Sequence, residues 1–188
     1  MQLFRIITFA AVVTTAFSSL AQKSDAPEVV SAQKNEAANA AEATKKLAAF
    51  LGKWTTSATF ASGEKATTDL DCRWSAQGSF LVCEQFVRLG AREQHQLTVY
   101  SYNLFDHSYQ YATFSDPGMK PSTGTVEING NVWTYNSSFE NHGKTTKIRN
   151  TNEFTEGGKT EVFKVVTSED DGKTWKPMLD GAAHKVSD

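Results

Sequence analysis

From Trp54 onward the chain is divided into short runs of similar length and rhythm, and that rhythm limits the folds open to it. Ten runs alternate apolar with polar residues and favour β-branched and aromatic side chains. They are Trp54–Phe60, Ala66–Trp74, Ser79–Arg88, Gln94–Leu104, Ser108–Phe114, Thr123–Ile128, Asn131–Phe139, Lys144–Phe154, Thr160–Ser168 and Thr174–Lys185. Between them stand turn formers such as Ser62-Gly63, Gln77-Gly78, Asp116-Pro117-Gly118, Asn129-Gly130, His142-Gly143 and Gly157-Gly158. Hairpin-length connections predict an all-β, antiparallel, up-and-down meander. A meander this long closes into a barrel, which removes exposed edges. A two-sheet sandwich fits the same pattern and is the alternative.

Before Trp54 the character is different. From about Asn35 to Leu51 the chain is rich in Ala, Glu and Lys, all good helix formers. Ala40, Ala43, Leu47, Phe50 and Leu51 make one apolar stripe that strengthens toward its C-terminal end. This predicts a single N-terminal α-helix that docks through its last two turns, with Gly52 as its C-cap. Residues 22–34 carry Pro27 and mixed charge without an apolar face and read as a flexible leader. Residues 1–21 read as a signal peptide: Arg5, then an apolar run from Ile6 to Phe17, then Ser19-Leu20-Ala21 as a small-x-small cleavage site before Gln22. The apolar run is shorter than the roughly 20 residues of a membrane span, so no integral membrane segment is expected after cleavage. No cysteine follows the run to carry a lipid. The expected product is exported, periplasmic or secreted and not lipid-anchored, with residues 35–186 forming helix and barrel as one domain.

The net charge of −2, with acidic and basic residues interspersed, gives no basic surface for nucleic acid. Export makes Cys72 and Cys83 informative, because disulfides persist in oxidising compartments. A two-residue turn at Gln77-Gly78 pairs Ala76 with Ser79 and Trp74 with Leu81, and sets Cys72 opposite Cys83, within reach of a disulfide. A type I′ turn at Asn129-Gly130 pairs Ile128 with Asn131 and Val126 with Trp133.

Ser168-Glu169-Asp170-Asp171-Gly172-Lys173-Thr174-Trp175 matches S-x-D-x-G-x-T-W, the pattern of the Asp-box known from sialidases and other propellers. A propeller repeats the unit at blade spacing, and here there is one copy. It therefore reads as a structural turn: Asp170 bonds the turn's amides, Gly172 takes positive φ and Trp175 packs beneath. His95, His107, His142 and His184 form no ligand spacing, no G-x-S-x-G is present, and neither a metal nor a cofactor is expected. Asp69, Asp71 and Arg73 share one strand face, opposite Leu70, Cys72 and Trp74, and read as solvated exterior. No catalytic residue is assigned.

The middle of the chain is dense in aromatics that combine an apolar body with a polar tip, as a pocket wall does. Trp74, Tyr100, Tyr102, Tyr111, Trp133 and Tyr135 are the aromatic ligand-contact candidates. Parity with the cysteines adds Gln85, an inward glutamine that must find a partner. Parity on the tyrosine strands is left open by the loops.

Gly52-Lys53-Trp54 after a short helix resembles the G-x-W that opens the lipocalin and wider calycin barrel. That resemblance implies that Trp54 closes one barrel end, packed by an arginine near the last strand; this chain departs from it, with only His184 and Lys185 there. An ordered series resembles a bacterial domain family of uncharacterised function with a predicted lipocalin-like barrel. The series runs from Leu47…Phe50-Leu51-Gly52-Lys53-Trp54 through Trp74…Gly78-Ser79-Phe80-Leu81 and Tyr102-Asn103-Leu104-Phe105-Asp106…Tyr109…Phe114-Ser115-Asp116 to the Asp-box segment. It spans about residues 44–180. It implies a fold, with Gly52, Trp54, Asp170, Gly172 and Trp175 as structural residues, and carries over no catalytic group. Three roles fit an exported barrel: binding a small hydrophobic ligand, acid–base catalysis in a barrel pocket, or a solid-cored envelope assembly factor.

Overall fold

The computed structural model describes residues 36, 38–116, 118, 120–141 and 143–188, with the side chain of residue 141 left out. The expected signal peptide and leader lie outside them, as does His142. Ten antiparallel strands close into one barrel in the order β1-β10-β9-β8-β7-β6-β5-β4-β3-β2. They are β1 Gly52–Phe60, β2 Lys65–Trp74, β3 Leu81–Leu89, β4 Arg92–Asn103 and β5 Ser108–Ser115, then β6 Ser122–Asn129, β7 Val132–Asn141, β8 Lys144–Thr155, β9 Thr160–Ser168 and β10 Lys176–Ser187. Closure comes from β1 pairing with β10 along its length, Thr55 opposite His184 and Phe60 opposite Leu179. That pairing decides for the closed up-and-down barrel over the sandwich, since a sandwich leaves the first and last strands at separate edges.

The N-terminal segment does not run as one α-helix to Leu51. It is α-helical over residues 38–45 and tightens into a 3₁₀ turn over Lys46–Phe50. Three residues per turn place Leu47 and Phe50 in line, and both are buried. Leu51 then donates its N–H to the Ala48 carbonyl and leaves in extended conformation. Gly52 is therefore not the helix C-cap. It opens β1 at φ +97°, and a Cβ there would fall 2.3 Å from the Ser187 carbonyl oxygen of β10. Its glycine character belongs to barrel closure.

Trp54 lies two residues on, 1% exposed, and donates Nε1–H to the Phe50 carbonyl at 2.9 Å. Lys185 of β10 sits 5.8 Å from its ring centroid, within cation–π range. Phe50 meets Trp133 and Phe154 edge-on at 5.1 and 5.0 Å and stacks on Tyr100 at 6.0 Å. With Leu47 these rings seal the end of the barrel where β1 begins, and the Tyr109 hydroxyl pins the helix by donating to the Ala43 carbonyl.

The Cys72–Cys83 disulfide is present, on directly paired residues of β2 and β3. The expected register holds, but the turn is longer. The ladder stops at Trp74–Leu81, and Ser75 accepts from Gly78 N–H across a tight turn centred on Ala76-Gln77. The six residues 75–80 and a two-residue Gln77-Gly78 loop are centred on the same bond and give the same pairing, so the disulfide does not depend on which forms.

The second hairpin differs in register. Ile128 pairs with Trp133 and Val126 with Tyr135, and the turn is Gly130-Asn131 rather than Asn129-Gly130. Gly130 takes φ +60° at the first central position, as in a type II′ turn. Asn131 is held from β8, where its side chain donates to the Phe154 carbonyl and its own carbonyl accepts the Phe154 N–H. A long-range partner outweighs the local Asn-Gly preference.

Candidate functional site

Strand alternation sends every second residue inward. Beyond the plug the inward side chains do not fill the barrel. They enclose a cavity of about 330 Å³ running from Phe50 toward Phe60, Val87 and Leu179 near the opposite strand ends. Toward those ends the wall is made by Ala58, Ala66 and Phe163 with Thr56 and Thr68 between them, while Leu70, paired with Trp54, lies nearer the plug. Nearer Phe50 it becomes polar: Tyr100 on β4, Tyr111 on β5, Tyr135 on β7, Asn150 and Asn152 on β8, and Glu161 on β9. Tyr111 fits against β6 because residue 124 is glycine; a Cβ there would come within 2.8 Å of its ring edge and hydroxyl.

One wall of this chamber is satisfied internally. Gln85 donates to Thr98 Oγ1 at 3.1 Å, and Thr98 shares a 2.9 Å hydroxyl contact with Thr113. The opposite wall is not. Asn150 Oδ1, Asn152 Oδ1 and Tyr135 Oη are buried without a hydrogen bond of normal geometry inside the protein, although the Tyr100 and Tyr135 hydroxyls lie near enough to couple. Asn152 donates its Nδ2 to Glu161 Oε1. Glu161 is 4% exposed, and its cross-strand neighbours are Phe154 and Ala183, neither of which can neutralise a charge. Among the described residues no lysine, arginine or histidine pairs with it. Burial consequently pushes its carboxyl up to about 8. Burial also lifts the Tyr100 and Tyr135 hydroxyls above the ordinary tyrosine range, so both remain neutral O–H groups.

Of the ligand-contact candidates from sequence, Gln85, Tyr100, Tyr111 and Tyr135 line the chamber. Trp133 is 2% exposed but belongs to the plug. Trp74 and Tyr102 face a separate groove of about 560 Å³ between the helix and the 77–79 and Leu104 loops, with Tyr102 bonded to His107 Nδ1 at 3.3 Å. Glu161, Asn150 and Asn152 are missing from the sequence reading. The signal for Glu161 was present: Lys164 marks the outer parity of its strand, which sends Phe163 and Glu161 inward.

The Asp-box segment lies away from the chamber. Asp170 accepts from the Thr174 amide and hydroxyl and from Ser168 Oγ, which hold its carboxyl down at about 2. Gly172 takes φ +90°, and Trp175 packs under Arg149, whose guanidinium carbon is 4.2 Å from its ring centroid. Because Thr174 and Trp175 complete this turn, β10 begins at Lys176, two residues later than expected. Outside the barrel, Arg73 pairs with Glu84 and Arg88 with Asp69, as a solvated exterior should. His95 lies tilted against Phe86, ring centroids 5.0 Å apart, and His184 contacts Thr160.

No protein-family model matches the chain, and no curated protein matches it in sequence. Among solved structures it is similar to EF1p2_mFAP2b bound to DFHBI, at 8% identity and a TM-score of 0.40, over 76% of this chain and 98% of that one. It is also similar to a de novo designed fluorescence-activating β-barrel, at 10% identity and a TM-score of 0.35, over 73% and 96% of the two chains. A third similarity is to the S-type phycobiliprotein lyase CPES from Guillardia theta, at 12% identity and a TM-score of 0.45, over 82% and 96%. These similarities are too distant to transfer any residue's role.

Proposed function

We propose that this chain is an exported calycin-like barrel that binds a small molecule inside the chamber, with the molecule's largely apolar body in the neck and a polar group on the floor. The observation that carries the reading is the unfilled interior. A barrel built only for stability packs its core to close to crystal density, whereas here about 330 Å³ remains, at the lower end of the roughly 300–1,000 Å³ of ligand pockets. The buried polar atoms at its floor add to this. Leaving such an atom without a partner costs roughly 1–3 kcal/mol, so a molecule that satisfies them gains affinity. Gln85, Tyr100, Tyr111 and Tyr135 are contacts in this reading; Trp74, Tyr102 and Trp133 are not.

Export is part of the proposal. It rests on the n-region, apolar run and cleavage pattern of residues 1–21 and is supported by the disulfide. N-terminal sequencing of the protein from its own host tests it, with a start at Gln22 expected. Native mass spectrometry of the same material tests binding. Retained ligand mass supports the reading, and a reproducibly empty barrel that also takes up no small apolar probe refutes it.

A second reading, acid–base catalysis, is favoured by one observation: Glu161 carries a carboxyl that stays protonated near neutrality. It predicts that a molecule recovered from the chamber is chemically converted by the parent protein and not by Glu161→Gln.

A further inference from the structure

The chamber floor has an excess of acceptors. Asn150 Oδ1 and Asn152 Oδ1 are buried and unpartnered, and Glu161 sits beside them with one amide donor and no cation. Asn152 turns its Nδ2 to the Glu161 carboxyl, which leaves Oδ1 to accept. A neutral hydroxyl offers one proton to these oxygens. An ammonium offers up to three, together with the charge that Glu161 lacks. The rings of Tyr100, Tyr111 and Tyr135 line the same space, and aromatic rings attract cations.

Resting on the small-molecule reading above, we propose that the chamber selects molecules bearing a protonated amine, with Glu161 as countercharge, Asn150 and Asn152 as orienting acceptors, and the neck holding an apolar or aromatic body.

Proton release follows from the geometry. In the unliganded chamber Glu161 is largely protonated at pH 7, because burial penalises its charged form. An ammonium seated against it favours the carboxylate, so binding expels that proton to solvent while the amine keeps its own. The other titratable groups facing the site are Tyr100, Tyr111 and Tyr135. Tyr100 and Tyr135 are shifted upward, away from neutrality, and do not compete for this step. Affinity for an amine should rise as pH increases toward about 8 and then level off.

Three probes of one shape test this: 2-phenylethylamine, 2-phenylethanol and phenylacetate, titrated calorimetrically at pH 7 in buffers of different ionisation enthalpy. The amine is expected to bind roughly tenfold or more tightly than the alcohol, the worth of one charge-assisted hydrogen bond. It should release about one proton per molecule bound, and phenylacetate should bind worst. In Glu161→Gln the amine preference and the proton release should vanish while the alcohol still binds. Proton release in the parent protein provides a readout that does not depend on the variant's folding. Alcohol binding without amine preference, a preference that survives Glu161→Gln, or binding without proton release overturns the amine assignment and leaves small-molecule binding intact. If none of the three probes enters the chamber, both fall together.

Discussion

The barrel's two interior regions share Phe50 as a boundary and are built on opposite principles. On one side Leu47, Trp54, Trp133 and Phe154 pack ring against ring, and the indole N–H of Trp54 is bonded to backbone. On the other side Asn150 and Asn152 keep buried oxygens without a protein partner, beside a carboxyl that has no countercharge. Dense, satisfied packing stabilises. Unsatisfied polar groups cost stability and are the usual mark of a functional site. The fold is therefore secured at the plug, which leaves the chamber free to carry the unpaired groups a binding function uses.

Substitutions should separate the two regions. The largest loss is expected from Trp54→Ala, which empties the plug and leaves the Phe50 carbonyl unpaired; chemical denaturation should show roughly 3–5 kcal/mol of lost stability. Glu161→Gln should act with the opposite sign. The Glu161 carboxyl rises from an unfolded value of about 4.3 to about 8 in the barrel. The stability contributed by its protonated form is thus full below about pH 4 and lost as pH climbs through 8. Unfolding of the parent between pH 5 and 9 should show stability falling with pH, and the variant should flatten that slope. A parent profile already flat over that range would show that Glu161 is neither isolated nor buried as described.

Smaller effects complete the contrast. Replacing Cys72 and Cys83 together by alanine opens a short loop and should cost roughly 2–4 kcal/mol, read as a lower denaturation midpoint, with ligand selectivity retained. Tyr135→Phe removes a buried hydroxyl that lies beside the Tyr100 hydroxyl and should change stability by less than about 1 kcal/mol in either direction, while weakening binding of any polar probe. Asp170→Asn is expected to be the mildest. It should speed amide exchange at Gly172 and Thr174 and leave both plug and chamber unaffected.

The strands were legible because alternation and turn chemistry are local, and all ten are present with ends within two residues of the pattern. The disulfide was legible for a related reason: hairpin register follows from the centre of the loop, whether it holds two residues or six. The Asn129-Gly130 turn was misread because Asn131 is held by Phe154 on β8, a contact no local rule contains. Gly52 was misread because a glycine after a helix has the same local signature whether it caps the helix or clears space for a distant strand.

The chamber was only partly legible. Gln85 followed from its parity with Cys83. Glu161 lay in a strand whose parity Lys164 reveals, but parity alone does not give its neighbours. Sequence alone determined the strand count, the antiparallel order, the paired cysteines and the helix leading to Trp54, because each depends on residues near one another in the chain. Tertiary structure decided closure of β1 on β10, the division of the interior into plug and chamber, and the isolation of Glu161 between Phe154 and Ala183. Those depend on which residues from distant strands share a layer, and that is set only when the sheet twists and closes on itself.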